Sequence, residues 1–130
     1  MSMELRSPLG RALGLGSAKS GHEHWWGQRL SAAALVPLGL WFMFSVLGLP
    51  STDYWAVAAW VGEPRHAILL ILFLAALLYH SNLGVQVVIE DYVHHGAAKV
   101  IGLALVRYVH VSLAVAGIYA VVVLSVGGAA

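Results

Sequence analysis

Residues 67–92 read AILLILFLAALLYHSNLGVQVVIEDY, an apolar run that contains one histidine and ends in two acids and a tyrosine. A helix of ~25 such residues is long enough to cross the hydrocarbon core of a bilayer, which is about 30 Å thick. On that helix His80, Gly84 and Asp91 fall within about 40° of one stripe. One helix face therefore carries an imidazole at membrane depth and an acid at the membrane edge.

The rest of the chain has the same apolar character. Of its 130 residues, 60% are hydrophobic and 10% are charged, whereas a soluble domain carries about 25% charged residues. The apolar residues form three long runs, which predict an all-α membrane protein with a short N-terminal tail and three transmembrane helices in one domain. The predicted tail is 1–26, the domain is 27–130, and the spans are about 28–49, 66–90 and 99–126.

Two finer features concern the first span and the loop that follows it. Pro37 lies inside the first span, where a membrane helix tolerates proline with a kink. The loop that follows contains Tyr54, Trp55 and Trp60. These aromatic residues predict a short helix, Asp53–Val61, that lies on the membrane surface.

The basic residues predict the orientation of the three spans. Most of them precede the first span or flank the second connection, and by the positive-inside rule those segments face the cytoplasm. The N-terminus is then cytoplasmic and the C-terminus periplasmic, and Arg29, Asp91 and Tyr92 are predicted to share the cytoplasmic edge. The basic residues on this side are Arg6, Arg11, Lys19, Arg29, Lys99 and Arg107, against Arg65 on the other.

Composition also excludes several classes of function. The net charge is +1 and there is no basic stripe, so the chain is not expected to bind nucleic acid. The absence of cysteine excludes disulfides, thiolate metal sites and iron–sulfur clusters ligated by this chain. Seven histidines are then the main chemical resource of the chain.

His80 is the strongest candidate for a functional residue. An ionisable side chain deep in a membrane span is costly and points to function. Ala76 and Gly84, one turn to either side, have little or no side chain, so this face of the helix forms a groove. Such a groove suits a flat macrocycle bound through an axial imidazole. The alternative is a histidine that hydrogen-bonds a neighbouring helix, and spacing does not decide between the two.

His110 is a second histidine at similar depth. It lies ~16 Å into the third span from Lys99, and His80 lies about as far from Asp91. A haem held within this one chain by both histidines is conceivable, although a role in helix packing is the simpler interpretation for His110. His22, His24, His94 and His95 are interpreted as surface residues.

The edge of the second span offers a different chemistry. A tyrosine at this level, Tyr92, has an apolar ring and a polar tip that suits donation to a quinone carbonyl. It equally fits the aromatic belt of a membrane protein. Arg29 is suited either to neutralise a haem propionate or an acid, or to act as a snorkelling charge that sets orientation.

The end of the second span resembles the hydrophobic membrane anchor of succinate dehydrogenase, through the motif His80-x3-Gly84-x-Gln86-Val87-x3-Asp91-Tyr92-Val93. Two further segments resemble the alphaproteobacterial and mitochondrial-type members of this family. They are Gly14–Gly21 and Trp26-x-Gln28-Arg29-x-Ser31-Ala32. The Ser-Ile-x-His-Arg pattern of the companion anchor, the cytochrome b subunit, is missing.

This resemblance implies a complex of four different subunits in the bacterial inner membrane, with this chain as a multi-pass subunit. A flavoprotein oxidises succinate, an iron–sulfur subunit passes the electrons on, and the two anchors form the ubiquinone pocket and hold one haem b. An anchor of fumarate reductase and a non-catalytic structural membrane protein remain as alternatives.

The resemblance also implies roles for individual residues. His80 is the axial ligand of the haem iron from this chain, and Tyr92 donates a hydrogen bond to ubiquinone. Asp91 supports the quinone pocket, and Arg29 lies near the haem propionates and that pocket. The family takes its other axial histidine from the cytochrome b subunit, which argues against His110 as a ligand.

Overall fold

The computed structural model describes residues 18–127, and four helices account for nearly all of them. They are α1 (Ala18–Leu47), α2 (Tyr54–Gly62), α3 (Pro64–Tyr92) and α4 (Gly96–Gly127). Three segments are long and apolar enough to span a membrane, namely Gly21–Leu47, Pro64–Tyr92 and Gly96–Gly127. The all-α class and the three candidate spans are therefore confirmed.

Helix α1 begins earlier than the predicted first span. The predicted tail is already helical from Ala18, while residues 1–17 lie outside the described part of the chain. Nothing between Ala18 and Gln28 stops a helix, since this segment has no proline and its two glycines only weaken it. The helix also continues through Pro37, as expected for a membrane span.

The short helix α2 confirms the element predicted between the first two spans. Its N-cap is Asp53, whose Oδ1 accepts a hydrogen bond from the Ala56 backbone N–H at 2.9 Å. The Ser51 hydroxyl donates to the other carboxylate oxygen at 2.6 Å. The Ser51 hydroxyl and the Ala56 amide together lower the pKa of Asp53. The location of α2 on a membrane surface stays a prediction.

The three long helices form a single layer with α3 in the middle. Helix α3 packs against both α1 and α4, whereas the backbones of α1 and α4 do not approach each other closely within residues 18–127. Gly117 of α4 faces Leu74, where an added Cβ would lie 3.3 Å from the leucine, and Gly102 faces Ile89. These glycines therefore permit close helix approach, as expected from their place in an apolar span.

The small apolar core lies at the end of the layer where α2 packs. It contains Val61 of α2, Ala67 and Leu70 of α3, and Val121 of α4. The three spans bury only 6%, 11% and 6% of their most apolar windows. So much apolar surface is stable only against lipid or another protein, which fits a membrane subunit.

Candidate functional site

The His80 ring lies at the interface between α3 and α1, and both of its nitrogens face polar side chains of α1. Nδ1 is 3.0 Å from Oγ of Ser31, and Nε2 is 3.4 Å from the amide nitrogen of Gln28. Ser31 is 7% exposed, the lowest exposure of any polar residue in the described part of the chain. The half-buried imidazole is thus held by two side chains of the neighbouring helix.

Gln28 and Ser31 are three residues apart and share one face of α1. Glycines on the two helices allow α1 and α3 to approach each other at this point. At Gly27, an added Cβ would lie 2.6 Å from the Tyr79 hydroxyl, so this glycine permits the close approach. At Gly84, an added Cβ would lie 3.7 Å from the Gln28 amide, which leaves a shallow space one turn beyond His80.

One atom of this cluster lacks a partner. Oε1 of Gln28 is buried and makes no hydrogen bond within the described residues. A buried carbonyl without a partner is unfavourable by about 1–3 kcal/mol. The Gln28 amide is therefore the least satisfied group beside His80, and it occupies the side of the ring that carries Nε2.

His110 has a different environment between α3 and α4. Its Nδ1 lies 2.8 Å from the backbone carbonyl of Val106, and its Nε2 lies 3.1 Å from the Ser81 hydroxyl. Both nitrogens are used in contacts within the chain, and neither contact involves His80. The geometry supports the packing interpretation of this histidine.

The backbone of Arg29 lies near the depth of His80, because its neighbours Gln28 and Ser31 contact that ring. Tyr92 is ~18 Å further along α3. Helix α1 begins at Ala18 and so extends toward that end of α3 well beyond Arg29. That the Arg29 charge shares the cytoplasmic edge with Asp91 and Tyr92 stays a prediction. The exposed guanidinium stacks over Trp25 at 5.3 Å from the ring centre.

Asp91 and Tyr92 end α3 with exposed side chains, and Tyr92 is 78% exposed. The basic residue that reaches this helix end is Lys99, whose ammonium donates to the Glu90 backbone carbonyl at 2.7 Å. The chain alone therefore leaves Tyr92 accessible to a ligand or partner. His22, His94 and His95 are exposed, in agreement with their interpretation as surface residues. His24 departs from that interpretation, since it is half-buried and its Nε2 has no hydrogen-bond partner among the described residues.

The structure adds features that sequence reasoning missed. Gln28 and Ser31 are neighbours of Arg29 in the chain, but the sequence pattern assigns them no role at His80. Their i, i+3 spacing at the start of an apolar span is the signal that points to a shared polar face. A groove of about 330 Å³ also lies between α3 and α4. It is lined by Gln86, Glu90, Leu103, Ala104, Arg107 and Tyr108.

Comparison with known proteins identifies the family. Residues 3–126 match the family model described as the succinate dehydrogenase/fumarate reductase transmembrane subunit. The succinate dehydrogenase hydrophobic membrane anchor subunit of Paracoccus denitrificans is 32% identical over 129 residues, which cover 94% of this chain and 100% of the relative. The protein of the same name from Rickettsia bellii is 38% identical over 93 residues, covering 72% and 74%.

A third relative extends this range of organisms. The succinate dehydrogenase membrane anchor subunit of Reclinomonas americana is 30% identical over 100 residues, covering 73% of this chain and 82% of the relative. No solved structure gives a significant match. With three apolar helices long enough to cross a bilayer, the chain is a multi-pass membrane protein, and it belongs to the family of succinate dehydrogenase hydrophobic membrane anchor subunits.

Proposed function

We propose that this chain helps to bind haem b and ubiquinone in succinate dehydrogenase and holds the flavoprotein and iron–sulfur subunits at the membrane. Electrons from succinate then reach ubiquinone beside this chain. The observation that carries the proposal is His80, a half-buried imidazole within a membrane-long helix, held in a defined orientation by Ser31 and Gln28. Such a residue in an anchor subunit is suited to cofactor binding.

The residues around His80 fit a haem. One neutral imidazole nitrogen is the donor that haem iron needs from each of two axial ligands. The Gln28 amide now faces Nε2 at 3.4 Å, a long contact, and its own oxygen has no partner among the described residues. Little is lost when that flexible side chain turns away, and Gly84 leaves space on the same face. A bound haem supplies an iron that accepts and releases one electron.

The second axial ligand is assigned to the companion cytochrome b subunit. His110 is not assigned to it, because both of its ring nitrogens already have partners within the chain. The Arg29 backbone lies near the depth of His80, and its exposed guanidinium stacks over Trp25, one turn nearer the end of α3 that carries Tyr92. We assign it a role near the haem propionates and the quinone pocket, where it can form charge-assisted hydrogen bonds.

The quinone site is assigned to the other end of α3. Tyr92 lies ~18 Å from His80 along the axis and about 120° around the helix, so the two ligands occupy separate positions. The Tyr92 hydroxyl donates to a quinone carbonyl, and the Asp91 carboxylate beside it supports the pocket. Both side chains are exposed, which a site completed by other subunits requires.

The test is the optical spectrum of the complex purified through this chain together with its co-expressed partners. We expect reduction by succinate to produce the bands of a b-type haem, and subunits with flavin and iron–sulfur clusters to co-purify. A complex with all partners but without a reducible b-type haem would overturn the haem assignment. Purification of this chain without any such partner would favour a structural membrane protein.

An anchor of fumarate reductase is the second candidate, because the matching family model covers the transmembrane subunits of both enzymes. The direction of turnover depends on the flavoprotein and on the quinone potential rather than on this chain. Rates of succinate oxidation by ubiquinone and of fumarate reduction by a quinol, measured on the same membranes, distinguish the two enzymes.

A further inference from the structure

Ser31 is a buried hydroxyl with three close neighbours. Its oxygen lies 2.7 Å from the backbone carbonyl of Gly27, 3.1 Å from that of Gln28 and 3.0 Å from Nδ1 of His80. Because Ser31 is only 7% exposed, water does not compete freely for these contacts. The distribution of protons among these groups therefore determines how the imidazole is held.

The hydroxyl has a single proton to donate. The Gly27 carbonyl is the nearest acceptor and lies one helical turn back, where a serine in a helix commonly donates. The oxygen lone pairs then face the His80 ring, so the Nδ1 atom must be the donor in that contact. This arrangement puts the ring proton on Nδ1 and leaves Nε2 with a free lone pair.

The contact at the other ring nitrogen, with the Gln28 amide oriented as in this structure, agrees with the same tautomer. The Gln28 amide nitrogen is only a donor, and it faces Nε2 at 3.4 Å. Nε2 can take part in this contact only as an acceptor. Two side chains of α1, on opposite sides of the ring, are therefore consistent with one protonation pattern of His80.

We infer that Ser31 is a positioning residue for His80: its oxygen accepts the Nδ1–H bond and so presents the unprotonated Nε2 to the haem iron. This inference rests on the proposed function, because it assigns the ligand side of His80 to a haem. A hydrogen-bond acceptor on the distal nitrogen fixes the orientation of a ligating imidazole and raises its basicity. A more basic ligand favours the ferric state, so this contact lowers the reduction potential of the haem.

The test compares two variants of equal shape, Ser31→Thr and Ser31→Val, in the complete membrane complex. Both add bulk at a buried position, but only threonine keeps the oxygen, which in a helix can still bond the preceding carbonyl. The readouts are the haem midpoint potential and the retention of haem during purification. We expect Ser31→Val to shift the potential upward and to weaken haem binding roughly tenfold or more, with Ser31→Thr close to the parent.

Ser81→Ala is the matched control, since it removes a serine hydroxyl that contacts His110 instead. We expect it to leave the haem potential unchanged. Equal potentials and equal haem retention in Ser31→Thr and Ser31→Val would overturn the inference. If Ser31→Val does not assemble, Ser31→Ala removes the oxygen without adding bulk. An unshifted potential in Ser31→Ala would overturn the inference in the same way.

His80→Leu in the same complex separates the inference from the proposed function. If His80→Leu keeps its haem, the haem assignment itself fails, and the role of Ser31 fails with it. If His80→Leu loses the haem while the threonine and valine variants agree, the haem assignment stands and only the role of Ser31 is refuted.

Discussion

Helix α3 has a histidine at each of its two interfaces, His110 where it meets α4 and His80 where it meets α1. The two histidines differ in how completely their ring nitrogens are hydrogen-bonded. On the α4 side, His110 is bonded to a backbone carbonyl at 2.8 Å and to the Ser81 hydroxyl at 3.1 Å. On the α1 side, His80 has a good contact with Ser31 but only a long one, 3.4 Å, with Gln28. The Gln28 oxygen is left buried without a partner among the described residues.

This difference is the ground on which we propose one of two histidines at similar depth as a haem ligand and the other as a packing residue. A histidine whose nitrogens both have good partners has nothing to gain from a metal. A histidine with one nitrogen fixed and the other facing a displaceable group is prepared for one. The chain therefore distinguishes its two intramembrane histidines by their neighbours rather than by their position in a span.

The largest effect is expected from replacing each histidine in turn. His80→Leu should remove most of the haem from the purified complex, because it deletes the proposed axial ligand while leucine suits the span. His110→Leu should keep the haem, although Ser81 loses its partner. Haem per flavin, measured by pyridine haemochrome, checks both. Loss of haem in His110→Leu with retention in His80→Leu would reverse the comparison.

A smaller effect is expected at the end of α3. Tyr92→Phe keeps the ring and removes the proposed donor to the quinone, and the loss of one hydrogen bond of about 1 kcal/mol slows ubiquinone reduction roughly fivefold. Succinate oxidation with a soluble acceptor and the haem content should both stay normal. Tyr119→Phe is the control, since Tyr119 is similarly exposed but lies near the C-terminal end of α4, far from Tyr92. Equal losses in both assays would mean that Tyr92 acts through assembly.

A modest effect is expected from Gln28→Leu. This change removes the amide that faces Nε2 of His80 together with its unpartnered oxygen, so the complex should assemble and keep its haem. Haem content and the reduced spectrum check this expectation. A loss of haem as complete as that in His80→Leu would contradict the idea that Gln28 gives way to the ligand.

The smallest effect is expected at the glycine that brings α1 and α3 together. In Gly27→Ala the new Cβ meets the Tyr79 hydroxyl at 2.6 Å. Tyr79 is 51% exposed and can move aside. Overpacking of this kind destabilises by about 1 kcal/mol, whereas alanine in place of glycine favours a helix by a similar amount, so a thermal melt of the complex should give a slightly lower Tm for Gly27→Ala than for its control. Gly21→Ala is the control, because nothing lies within 4 Å of its added Cβ. Equal melting temperatures for the two variants would argue against close packing here.

Much of the fold follows from the sequence, because the length of an apolar run nearly determines a membrane helix. The predicted second and third spans end within three residues of the bounds of α3 and α4, and the predicted α2 within one. His80 also stands out, because an imidazole deep in such a run is rare in itself. The start of α1 does not follow in this way, because glycines, tryptophans and charges at a membrane edge do not indicate where a helix begins.

The contacts of His80 are not predictable from the sequence in the same way. They depend on the register between α1 and α3, which is set by contacts such as Gly27 against Tyr79. Periodicity within either helix does not contain that information. The same register places the Arg29 backbone near the depth of His80, and it gives Ser31 and Gln28 neighbours that their positions in the chain do not indicate.

The single-layer arrangement has a consequence for the order in which the protein matures. The backbones of α1 and α4 do not approach each other closely within the described residues, and both side chains in hydrogen-bond contact with His80 come from α1. The hydrogen-bond partners of this imidazole are therefore encoded upstream of α4. As the chain is synthesised from its N-terminus, the first two spans can pair and orient His80 before the last span has left the ribosome.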